Sequence, residues 1–127
     1  MMKPDIENAI AELKAAFPRH QVEVTPDARG GASVIVHGLS IGQQYIPSTS
    51  WVGFTLVGQY PHADVYPHFM DEGVRFANGE GWKAGLSAGK WAGRSAIQIS
   101  RRSKRWNPAV DTAATKLVKV LEWLRTQ

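Results

Sequence analysis

The run Ile97-Gln98-Ile99-Ser100-Arg101-Arg102-Ser103-Lys104-Arg105-Trp106-Asn107-Pro108-Ala109-Val110-Asp111-Thr112 passes from apolar alternation to dense positive charge and then to helix-start signals. Side chains alternate along an extended chain, so Ile97 and Ile99 share one face of a short strand over Ala96 to Ser100. Four cations follow within five positions, Arg101, Arg102, Lys104 and Arg105. Pro108 suits the first turn of a helix, where its missing N–H is not needed, and Asn107 or Asp111 can cap that turn. Behind them Val110, Ala114, Leu117, Leu121 and Leu124 recur at helical spacing and form one apolar stripe. A strand therefore feeds a C-terminal helix across a basic turn.

Upstream, the chain opens with another helix pattern. Ile6, Ile10, Leu13 and Phe17 form its stripe, Pro4 fits its first turn, Asp5 and Glu7 suit the positive end of its dipole, and Pro18 closes it. Strand signals come next: Val22 and Val24, then the β-branched run Val34 to Val36, then Val52, Phe54 and Leu56 alternating with smaller or polar neighbours. Turn residues Pro26, Asp27, Gly30 and Gly31 separate the first two, which suggests an antiparallel meander. From Pro61 to Gly93 regularity fades. Six glycines fall in this span, with Val74-Arg75-Phe76 as the one strand-like piece, and a loop of this length points to function. The order is that of an α+β fold: N-terminal helix, antiparallel β-meander of about four strands, irregular active-site-like loop, C-terminal helix.

The chain's 127 residues with 43% hydrophobic and 20% charged content match a single globular domain over 1–127, and exclude global disorder. There is no cysteine, which removes disulfides, thiolate ligands and any cysteine nucleophile. No apolar run is long enough to span a membrane and no signal-peptide pattern opens the chain, so the expectation is a cytoplasmic protein without membrane contact. Charge is unevenly spread. Through Trp82 there are five Lys and Arg against nine Asp and Glu, and from Lys83 onward ten against two. The second half is thus a docking surface for an acidic partner, or simply a solvated basic face.

The remaining motifs have plainer readings. Gly89-Lys90 is followed by Trp91 where a phosphate-binding loop requires Ser or Thr, so nucleotide binding there is rejected. His62, Asp64 and His68 lie within seven residues, but ordinary loop hydrogen bonding explains such a group more simply; no metal or other cofactor is expected. Trp82, Trp91 and Trp106 beside the cations could stack on bases while Arg101, Arg102, Lys104 and Arg105 neutralise phosphates. No named nucleic-acid motif accompanies them, so nucleic acid is the weaker partner class.

Trp106-Asn107-Pro108-Ala109, with Tyr60-Pro61 and Tyr66-Pro67 upstream, resembles the ubiquitin-conjugating enzyme family. In that family a short strand bearing the catalytic cysteine precedes Trp-Ser-Pro-Ala, which opens a helix, and a Tyr-Pro and Pro-Pro segment follows the third strand of a four-stranded meander. Ser100-Arg101-Arg102 followed by Trp106 and Asp111 is similar to bacterial members of the superfamily. Those members are associated with ubiquitin-like proteins, activating-enzyme homologues and metallopeptidases in conjugation operons of the antiphage type. The resemblance implies a ubiquitin-conjugating-like fold, and as partners a ubiquitin-like protein and an activating-enzyme homologue.

The departures bear on chemistry. Aligning Trp106 with the family tryptophan puts Gln98 at the catalytic cysteine's register, and the family's His-Pro-Asn segment has no counterpart, Ala88-Gly89-Lys90 lying in its place. Thioester transfer is therefore closed to this chain. One reading substitutes a hydroxyl: Ser100 shares a face with Gln98 and would need His62, His68 or Asp111 as base to form a serine oxyester. Arg101 and Arg102 would then stabilise an oxyanion or hold the modifier's tail. A second reading is a non-catalytic scaffold that binds modifier or activating enzyme through Gln98, Arg101, Arg102, Arg105 and Trp106. The third, an engineered loss of cysteine, fits poorly with Gln. Trp106 is expected to pack the helix entry onto the sheet, and Asp111 to serve as a helix cap before any role as a base.

Overall fold

A computed structural model of the protein describes residues 2–127. Helix α1 (Pro4–Ala16) is followed by strands β1 (Val22–Pro26), β2 (Ala32–Ser40), β3 (Tyr45–Ile46), β4 (Thr49–Leu56), β5 (His68–Asp71), β6 (Arg75–Phe76), β7 (Leu86–Trp91) and β8 (Arg94–Ile99), then helix α2 (Ala113–Arg125). Pro4 opens α1, and the helix buries Ile6, Ala9, Ile10 and Leu13 as its spacing predicts. It ends where the Phe17 N–H bonds the Leu13 carbonyl, with Pro18 next in the chain.

The main sheet has six strands in the order β1-β2-β4-β5-β8-β7, and every pairing is antiparallel. β1, β2 and β4 are the three strands read from the sequence, and β5, inside the span expected to be irregular, completes a four-stranded meander. The β8–β7 hairpin extends it, and β3 and β6 pair separately. The fold class expected from the sequence is the one observed: an α+β domain with a helix at each end of the chain and an antiparallel sheet between.

The span 61–93 is more regular than expected. It contains β5, β6 and β7. β5 escapes a pattern reading because His68, Phe69 and Met70 are all buried, so both its faces are covered and no polar alternation marks it. β7 (Leu-Ser-Ala-Gly-Lys-Trp) contains no β-branched residue. Its pairing is set by the two-residue hairpin turn Ala92-Gly93, where both φ angles are positive, at 50° and 76°.

Val34, Val36, Val52, Phe54, Leu56, Met70, Ile97 and Ile99 form the sheet's inner face, packed in one cluster with the apolar stripes of both helices. On the opposite face the rings of Phe69 and Trp91 stack at 5.5 Å, and Trp91 meets Trp51 at 6.1 Å. Gly53 is required beneath them, since a Cβ there would overlap the Trp91 ring.

The entry to α2 differs from expectation. Thr112, extended at φ −131° and ψ 165°, is the N-cap, and with Thr115 it forms a reciprocal capping box. Asn107 and Asp111 instead close the preceding turn: the Asp111 carboxylate accepts from the Asn107 N–H at 2.7 Å, and Asn107 Oδ1 from the Ala109 N–H at 2.9 Å. Val110 consequently lies outside the helix and is 67% exposed, so the buried stripe begins at Ala113 and Ala114. Composition marks a helix start near here, but backbone geometry selects among adjacent capping residues.

Candidate functional site: a basic groove beside the end of β8

The chain leaves the sheet at Ser100, whose N–H bonds the Gly85 carbonyl at 2.8 Å. From there to Thr112 it forms neither helix nor strand, and it is held by side chains. The Arg101 guanidinium lies over the Trp123 ring of α2 (4.8 Å to the centroid), and that of Arg102 over Tyr66 (4.1 Å). The two arginines are thereby splayed to either side. Trp106 donates its indole N–H to the Pro61 carbonyl at 2.6 Å and approaches the Tyr60 ring at 6.4 Å. Trp-Asn-Pro-Ala is therefore bound directly to the Tyr-Pro segment.

This basic segment and α2 enclose a groove of about 470 Å³, lined by Arg101, Arg102, Ser103, Lys104, Arg105, Asp111, Lys116, Lys119, Val120 and Trp123. Six of these ten carry positive charge against one carboxylate. Val120 and the Trp123 ring add apolar surface, so the groove suits an extended chain of acidic or carboxyl-terminal character.

At the groove's base lies a compact polar cluster. Lys116, only 5% exposed, donates from Nζ to Asp64 Oδ1 (3.1 Å), Asp64 Oδ2 (3.2 Å) and Ser103 Oγ (2.6 Å). Asp64 also accepts from the Ser103 N–H at 2.8 Å and from the Ser103 hydroxyl at 3.0 Å. Burial alone would raise the Asp64 pKa, but the Ser103 amide and the Lys116 ammonium outweigh it and hold the carboxyl below its usual range. Burial lowers that of Lys116, against the support of Asp64. The cluster is an ion pair with a serine hydroxyl set between its two charges.

The residues nominated from sequence separate into groups. Arg101, Arg102 and Arg105 line the groove, joined by Lys104 and Lys119. Gln98 and Ser100 do share a face, Gln98 Nε2 donating to Ser100 Oγ at 3.1 Å, but neither lines the groove. Gln98 is opposite Phe69 in register and so belongs to the outer face of the sheet.

His68 is not placed to be a base for Ser100. It pairs opposite Ile99, which turns its ring to the inner face against Phe54 at 5.1 Å. It is 0% exposed, neither ring nitrogen has a hydrogen-bond partner among the described residues, and burial, with Lys116 nearby, pushes its pKa down to about 3. Asp111 likewise serves the Asn107 turn and faces Lys119 at 3.8 Å rather than Ser100. Trp106, nominated as a partner-binding residue, does not line the groove; its indole is bound to Pro61 as a structural tie. His62, Asp64 and His68 do not converge, and among the described residues no three His, Asp or Glu side chains are grouped to hold a metal.

The cluster of Asp64, Ser103 and Lys116 went unread in the sequence. One signal was available: Lys116 lies three residues after Ala113 and four before Val120, on the buried side of α2, where a lysine requires a carboxylate. Which carboxylate could not be known, since Asp64 is 52 positions away.

An N-terminal helix, a four-stranded antiparallel meander and a Trp-Asn-Pro-Ala entry to a C-terminal helix define a ubiquitin-conjugating-like, or E2-like, domain. The family model described as prokaryotic E2 family E matches residues 17–127, and the chain belongs to that family. No curated protein and no solved structure matches it.

Proposed function

We propose that this protein is an E2-like component of a bacterial ubiquitin-like conjugation pathway, of the antiphage type, in which the basic groove receives the C-terminal tail of the modifier from an activating-enzyme homologue. The observation that carries this reading is the position of the groove. It opens where the chain leaves β8, the strand corresponding by resemblance to the one that bears the family's cysteine, and six cations surround it. With no cysteine in the chain, the modifier is either held without a covalent bond or carried as a serine oxyester. No helix among the described residues is long and apolar enough to cross a membrane.

Titration calorimetry with a bacterial ubiquitin-like protein and its activating-enzyme homologue tests the reading. Binding should weaken about 10-fold when Arg101→Ala and Arg102→Ala are combined, chiefly through salt-sensitive association. No heat with either protein would sink the proposal. Tight, steeply salt-dependent binding to generic DNA instead would favour the nucleic-acid reading.

A further inference from the structure

Building on the reading of this chain as a modifier carrier, we propose that Ser103, rather than Ser100, is the hydroxyl that takes the modifier, with Asp64 as proton acceptor and Lys116 as the cation on the nascent alkoxide. The two serines differ in their surroundings. Among the described residues Ser100 Oγ is hydrogen-bonded by the neutral amide of Gln98 and by no ionised side chain, and Ser100 lies outside the groove. Ser103 lines the groove, and its hydroxyl donates to an ionised carboxylate at 3.0 Å while accepting from a buried ammonium at 2.6 Å. All three Lys116 donors are accounted for, by the two Asp64 oxygens and Ser103 Oγ, so the hydroxyl proton is directed to Asp64.

The substrate is the modifier's C-terminal carboxyl, already activated as an acyl thioester on the activating enzyme. Ser103 Oγ attacks the thioester carbonyl carbon and forms the new C–O bond as its proton passes to Asp64. A carboxylate held by several donors is a weak base, so attack and proton transfer are concerted, and the Lys116 ammonium compensates the charge that grows on Oγ. The tetrahedral intermediate collapses with cleavage of the C–S bond, and the departing thiolate takes up the proton from Asp64. Thioester and alcohol become oxyester and thiol, with no change of oxidation state.

The test uses the full chain with a bacterial ubiquitin-like protein prepared as its C-terminal 2-mercaptoethanesulfonate thioester, followed by intact mass. Wild type and Ser100→Ala should form an adduct that survives reductant and breaks in hydroxylamine. Ser103→Ala and Asp64→Asn should slow its formation by about 100-fold or more. Ser103→Cys should restore an adduct that reductant now releases, and should charge about 10-fold or more faster than the same cysteine placed at Ser100, a difference that simple thiol exchange at a structural serine would not produce. Normal charging of Ser103→Ala, a reductant-resistant adduct on Ser103→Cys, or no adduct on wild type each overturns the assignment. Calorimetry with the unactivated modifier on the same samples separates the two levels: binding without an adduct leaves the groove reading standing, and loss of binding removes both.

Discussion

The indole N–H of Trp106 and the carbonyl of Pro61 meet at 2.6 Å across 45 positions of sequence. This bond joins the segment leading into α2 to the connection between β4 and β5. Trp106→Phe keeps most of the ring's apolar surface and removes the donor, leaving a half-buried carbonyl unpaired. The expected loss is about 1–2 kcal/mol in urea unfolding, with the larger effect on the order of residues 101–112, seen as faster amide exchange there.

The Asp64–Lys116 pair should behave as a coupled unit. Lys116 is 5% exposed and Asp64 15% on their side chains, so removing one partner strands a charge in a poorly solvated site. Lys116→Met or Asp64→Asn alone should cost about 3 kcal/mol. The double variant should cost clearly less than the sum, and a double-mutant cycle from chemical denaturation measures the difference. Additive losses would mean that the two charges are solvated independently.

His68 makes stability depend on pH. Its folded pKa of about 3 lies below the usual value of 6.5, so between those values the unfolded chain binds a proton that the folded chain does not. Unfolding free energy therefore falls as the solution is acidified through this window, with a slope approaching about 1.4 kcal/mol per pH unit. Urea midpoints from pH 7 to pH 4 report the slope. His68→Leu should flatten it, since the ring makes no hydrogen bond that would be lost. Asp64 acts in a separate, more acidic range, because its depressed pKa means that its contribution is lost only as pH falls below the ordinary carboxylate value.

The cap assignment is tested by a comparison. Thr112→Ala should cost about 1 kcal/mol, because its hydroxyl accepts from the Thr115 N–H at 3.1 Å and caps α2. Asp111→Ala should affect the helix less and act on the preceding turn, where the carboxylate binds the Asn107 N–H. Thermal melts followed at 222 nm rank the two; the opposite order would restore Asp111 as the cap.

Much of the architecture was legible in local pattern. The apolar spacing of Ile6, Ile10 and Leu13 and of Leu117, Leu121 and Leu124, and the alternation of Val52, Phe54 and Leu56, are properties of helices and strands that bury one face, and a sequence displays them directly. The charge asymmetry and the absence of cysteine were equally plain, and they already placed a basic surface in the second half while closing thioester chemistry. Trp106-Asn107-Pro108-Ala109 with the Tyr-Pro pairs carried the family resemblance.

What local pattern could not supply was pairing between distant residues. β5 is buried on both faces, and its strand character exists only because β4 and β8 flank it. His68 carries the same side chain in a loop or a core; the register with Ile99 turned it inward and away from Ser100. Ser103, Asp64 and Lys116 belong to three separate segments, and none suggests a site by itself. Sequence alone determined the two helices, the strands that alternate, the excluded chemistry and the sign of the surface. Tertiary structure decided which hydroxyl sits between an ammonium and a carboxylate, because only the folded chain brings those charges close enough, and dry enough, to act on it.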